Sequence, residues 1–97
     1  MKTNINKFQA LYDMQLHKAE KICALFDEHL YHGYAKDVIE LAAKAGIKTN
    51  SQSVRNVRNG FGVANLPLFN IIIELAKEKE AEYLIAKEKF KNLTTTI

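Results

Sequence analysis

An all-α fold is predicted by where the helix breakers fall and by the absence of strand periodicity. All four glycines (Gly33, Gly46, Gly60, Gly62) and the single proline, Pro67, lie between residues 33 and 67. Both flanks lack them and are rich in Ala, Leu, Lys and Glu. Glycine costs about 1 kcal/mol and proline about 3 kcal/mol inside a helix, so this distribution predicts two long helices around a punctuated middle. No segment sustains the period-2 alternation of a half-buried strand. At 97 residues, with 47% hydrophobic and 26% charged side chains, the composition is that of one globular domain.

The first helix is expected over residues 4–31. Ile5, Phe8, Tyr12, Leu16, Ala19, Cys23, Phe26 and Leu30 recur at 3-4-4-3-4-3-4 spacing, and Leu11, Met14, Ile22 and Leu25 widen the stripe. A stripe this broad suits a helix that packs on a core and on a second helix at once, which makes it the expected dimerisation surface. The last helix is expected over 65–93. Asn65 is a good N-cap, Pro67 is tolerated in the first turn, and Leu68, Ile72, Leu75, Tyr83, Ala86, Phe90 and Leu93 line one side. Its Glu- and Lys-rich side reads as a solvated face with i,i+3 pairs such as Glu74 with Lys77 and Glu88 with Lys91. Residues 94–97 read as a frayed tail.

Between the flanks, Val38, Leu41, Ala42 and Ala45 have helical spacing, and Gly46 stands where a left-handed terminating residue belongs. A polar stretch, Lys48-Thr49-Asn50-Ser51-Gln52-Ser53, precedes the apolar pair Val54 and Val57, and Asn59-Gly60 closes the segment. The middle, residues 34–63, therefore reads as helix (about 35–45), turn (46–50), short helix (51–59) and loop (60–65), with Phe61, Gly62 and Val63 forming either a wing or, the preferred reading, an apolar contact that closes the loop.

The formal charge of +3 is confined to this middle. Residues 1–34 carry four Lys against four acidic residues, and residues 64–97 carry five Lys against five Glu. From Leu41 to Ile73 there are Lys44, Lys48, Arg55 and Arg58 and no acidic residue. An acid-free basic segment in an otherwise balanced helical protein suggests an anion-binding surface.

Residues 34–75 resemble the helix-turn-helix DNA-binding domains of phage-repressor and Cro-like regulators. Leu41, Ala42 and Gly46 match the apolar residue, packed alanine and turn glycine of that motif, and Val54, Val57, Asn59 and Gly60 match the anchors and ending of its recognition helix. The interval from Gly46 to Val54 is two residues longer than the family's usual spacing. The resemblance implies a small regulator of phage or mobile-element type that reads double-stranded DNA with helix 51–59 as a homodimer. On the short helix, Ser51, Gln52, Ser53, Arg55, Asn56 and Arg58 are expected to face away from Val54 and Val57. Gln and Asn pair with adenine edges and Arg with guanine, so Ser51, Gln52, Ser53 and Asn56 are the candidate base readers. Lys44, Lys48, Arg55 and Arg58 are the candidate phosphate contacts.

The alternative, from a different class, is a helical protein–protein interaction module whose basic middle meets an acidic partner. No nucleophile elbow, phosphate-cradling glycine loop or catalytic carboxylate pair is visible, so no enzyme, cofactor or small-molecule substrate is expected. His29 with His32, and Asp13 with His17, lack the further ligands a metal requires; a histidine near a helix C-terminus is favoured by the macrodipole alone. Cys23, the single cysteine, lies on the apolar stripe and reads as a buried structural thiol. With no apolar run of membrane-spanning length and no apolar core in the first residues, the expected location is cytoplasmic.

Overall fold

A computed structural model describes residues 5–97, and among them there are five helices and no strand. The first flank is two helices rather than one: α1 spans Ile5–Tyr12 and α2 spans Leu16–His29. The expected start at Asn4 lies outside the described residues. The break falls at Asp13, which takes a positive φ of 48°. Asp is one of the few non-glycine residues that visits this region, and the Met14 N–H then donates back to the Gln9 carbonyl, closing α1 as a glycine would. Leu16 is consequently exposed at the corner although it belongs to the predicted stripe.

The corner folds α1 back on α2. Phe8 and Phe26 are fully buried and meet Phe69 with ring centroids 5.2 and 5.8 Å away, all edge to face, while Tyr12 stacks on Phe69 at 4.1 Å. Edge-to-face aromatic pairs add to the burial of their large surfaces. Ala19 and Cys23 complete the inward side of α2. The width of the first stripe is thus spent largely inside the molecule, on α1 and on the last helix.

The middle contains α3, Tyr34–Lys44, and α4, Ser51–Asn59. Ala35, Val38 and Ala42 are buried on α3, and Val54 and Val57 on α4. Both helices end in the same way. Gly46 and Gly60 take φ near +79° and +78°, and the following N–H groups of Ile47 and Phe61 each donate 2.8 Å back to the carbonyls of Ala42 and Asn56. A side chain at either position would be strained in the left-handed conformation that glycine adopts freely. The connection between them takes six residues, 45–50, so the extra length of the turn lies there.

The last helix, α5, spans Leu66–Thr95. Asn65 caps it by accepting the Leu68 N–H at 3.2 Å. Leu68, Phe69, Ile71, Ile72, Leu75 and Ala76 are buried against α2, α3 and α4. The helix runs past the predicted end at 93 to Thr95, and in its last turn Thr94 donates to the Phe90 carbonyl at 2.9 Å and Thr95 to the Lys91 carbonyl at 2.7 Å. Among the described residues, Lys79 with Glu82 at 3.7 Å closes as an ion pair on the charged side, rather than the expected Glu74–Lys77 or Glu88–Lys91. Buried His29 sits 3.8 Å from the Glu80 carboxylate and faces the Tyr83 ring, and this marks where α5 leaves the body. From residue 81 onward every side chain is exposed. No described helix is long and apolar enough to cross a membrane.

Cys23 is buried as expected, and burial, reinforced by the Asp27 carboxylate, pushes its thiol from an ordinary 9.0 up to about 11. Burial also raises Tyr12 and Tyr34. The unfolded thiol therefore loses its proton at lower pH than the folded one. The stability this contributes is complete below about pH 9 and is lost as the pH rises through about 11. A urea midpoint that is flat through neutral pH and falls above pH ~9 is the expected titration; a midpoint that rises there would contradict it.

Candidate nucleic-acid interface

The exposed surface of α4 is set by its two anchors. With Val54 and Val57 turned into the core, Ser51, Gln52 and Arg55 face solvent and Ser53 and Asn56 are half-buried; Lys44 at the end of α3 and Lys48 on the connection are exposed. Asn50 caps the helix, its side-chain oxygen accepting the Ser53 N–H at 2.9 Å, so that donor is already used within the chain. The Gln52 amide donates 3.0 Å to the Asn56 side-chain oxygen across one helical turn. These two candidate base readers are held as a unit with amide donors and acceptors left over, Gln52 exposed and Asn56 half-buried.

Arg58 departs from the expected outward set. Only 9% of it is exposed, and its guanidinium donates 2.9 Å to the Asp27 carboxylate on α2 and 2.8 Å to the Asn59 side chain, with the Tyr34 ring 6.0 Å away. Four residues beyond Val54 on a helix, it shares the anchors' side, and a long arginine reaches through to an acidic partner there. Arg58 therefore ties α4 to α2 and is not placed to touch a phosphate. Truncating Arg58 to alanine is expected to cost about 2 kcal/mol, because Asp27 is half exposed and is partly re-solvated when its partner goes. Arg55→Ala should change stability by less than ~0.5 kcal/mol. Urea denaturation of the two variants checks this, and equal losses would contradict the assignment.

Folding also gathers groups that sequence spacing does not connect to α4. Tyr31, His32 and Tyr34, from the α2–α3 junction, share a shallow groove with Arg55, Arg58 and Asn59. Burial raises the Tyr34 hydroxyl above its ordinary value, while the charges of Arg58 and Arg55 pull it back. The Lys7 ammonium of α1 lies 4.2 Å over the Phe61 ring just past α4. Phe61 is only partly covered and Val63 is 87% exposed, so the loop 60–65 does not close as the apolar contact expected of it.

The segment Leu41–Ile73 contributes exposed Lys44, Lys48, Ser51, Gln52 and Arg55 and no acidic residue, although Lys44 itself shares a groove with Asp37, Glu40 and Glu78 of α3 and α5. It can hold a polyanion by charge and offer amide hydrogen bonds to base edges. Compared with known protein families, curated proteins and solved structures, the chain matches none of them.

Proposed function

We propose that this protein binds double-stranded DNA with α4 in the major groove, as a small helix-turn-helix transcriptional regulator acting as a pair of copies. The observation that carries the reading is the division of α4. Its apolar anchors are consumed in the core, while the polar side chains left outside, Ser51, Gln52 and Arg55 with the Gln52–Asn56 pair, lie within the acid-free basic stretch. Lys44, Lys48 and Arg55 supply the phosphate contacts, and Arg58 holds the helix in place from behind. In a pair, half-sites would be spaced by about 34–36 Å or a multiple of that repeat.

The test is fluorescence anisotropy of labelled duplexes at several salt concentrations, followed by site selection. Affinity should fall steeply with salt, by a slope equivalent to several phosphate contacts. Gln52→Ala with Asn56→Ala should remove sequence preference by roughly 1–3 kcal/mol while leaving the helical signal intact. Affinity without preference among duplexes would indicate RNA or non-specific binding instead. No binding at low salt by folded protein would overturn the reading. The second reading, a helical interaction module, is favoured by the exposed apolar residues of distal α5, and it predicts that the double variant leaves partner binding unchanged.

A further inference from the structure

We propose that the free half of α5 is a self-association seam, pairing in parallel with a second copy of this chain as a short coiled coil. Tyr83, Ala86, Phe90 and Leu93, with Ile97 just beyond the helix end, recur at 3-4-3-4 spacing, the alternation of a two-helix seam. All are exposed, Phe90 by 67% and Leu93 by 60%, while Tyr83 keeps one side against the His29 ring. At 1.5 Å per residue, residues 81–95 carry this stripe roughly 22 Å along α5 past the point where His29 and Glu80 mark the edge of the body. An apolar stripe this continuous on a charged helix marks an interaction surface.

Charge selects both the partner and the direction. With Tyr83 and Phe90 as one set of core positions and Ala86 and Leu93 as the other, Glu82 and Lys87 flank the seam five residues apart. In a parallel pair each Glu82 meets the Lys87 of the other copy, giving two complementary pairs. The antiparallel register that matches most of the same apolar residues sets Lys87 against Lys87 and Lys89 against Lys89. Antiparallel registers shifted towards the body run into α5 residues such as Ile72 and Ala76, which are already buried. The other apolar strip, Ile22 and Leu25 beside Ile73, is rimmed by Lys18, Lys21 and Lys77, which a second copy would bring together as like charges.

Two aromatic rings with Leu93 and Ile97 withdraw on the order of 500 Å² per copy, below the roughly 800 Å² per partner of a standard interface, so a micromolar dimer is expected. Parallel pairing puts both bodies at one end of the coil, where two α4 helices can address one duplex. The seam is argued from α5 alone. Its test uses no nucleic acid, so its failure and the failure of the DNA reading are separate results.

Sedimentation equilibrium of the full chain from about 1 to about 200 μM should show a reversible monomer–dimer equilibrium. Phe90→Glu with Leu93→Glu should abolish the dimer while the helical signal and the thermal midpoint of the monomer stay unchanged. Lys87→Glu alone should weaken the dimer about tenfold, and adding Glu82→Lys should restore it. Monomer throughout the range, a dimer indifferent to the double glutamate variant, or a dimer strengthened by Lys87→Glu alone would each overturn the proposal.

Discussion

Phe8→Ala is expected to lower stability by about 3–5 kcal/mol and the thermal midpoint by roughly 15–30 °C, enough to leave a protein of this size partly unfolded at 37 °C. Phe8 is fully buried and is in contact with Phe26, Phe69 and Tyr12 at once. It is also the buried residue of α1. An eight-residue helix has little stability of its own, so removing this ring leaves α1 without its anchor as well as opening a cavity. The matched control is Phe90→Ala on the free half of α5, measured at low micromolar concentration. There the same atoms are removed from solvent-exposed surface, and the change should stay within ~0.5 kcal/mol. Urea denaturation followed by far-UV circular dichroism reads both. Equal losses, or a loss below ~1.5 kcal/mol for Phe8→Ala, would contradict the packing described.

Gly60→Ala should cost about 3 kcal/mol from two separable sources. A residue with a side chain pays roughly 1–2 kcal/mol to hold a φ of +78°. In addition, its Cβ would fall 2.8 Å from Phe8 Cδ1, too close for any real contact, and 3.3 Å from Lys7 Cβ, which would have to give by a few tenths of an ångström. Phe8 cannot retreat, because its other sides face Phe26 and Phe69. Gly46→Ala isolates the first source, since Gly46 has φ +79° but open space around the missing side chain. Gly46→Ala should therefore lose only about 1–2 kcal/mol, with the difference between the two variants measuring how tightly α1 closes over the end of α4. Indistinguishable variants would mean that α1 does not close over this position.

These two sites show what was legible beforehand. The glycine that ends α4 and the pair Val54 and Val57 follow from periodicity and terminator chemistry, because both are local. The close approach of Phe8 to Gly60 joins residues more than fifty positions apart, and no spacing rule reaches that far. Asp13 is instructive in the same way. An aspartate inside an apolar 3-4 stripe reads as a solvated helix residue, and only the gain from folding Phe8 onto Phe26 and Phe69 favours the left-handed turn. Arg58 is expected to face away from Val54 and Val57, yet four residues beyond Val54 it lies on their side of the helix. Its partner Asp27 lies thirty-one residues away on another helix.

The sequence by itself determined helices in place of strands, the cap at Asn65, the terminators at Gly46 and Gly60, and the confinement of net charge to the middle. Those depend on backbone entropy, hydrogen bonding within one turn and residue counting, all of them properties of short stretches. Tertiary structure alone decided which apolar faces are spent and which are left over. Most of the α1 and α2 stripe is consumed in the core, Leu16 and the half-buried Ile22 and Leu25 apart, and the distal stripe of α5 is not, because α5 outruns the body that its first half packs against. The same geometry sorted the cations, sending Arg58 inward to Asp27 and leaving Lys44, Lys48 and Arg55 outside. Burial is a sum over neighbours from the whole chain, and two side chains of one chemical type separate only when that sum is known.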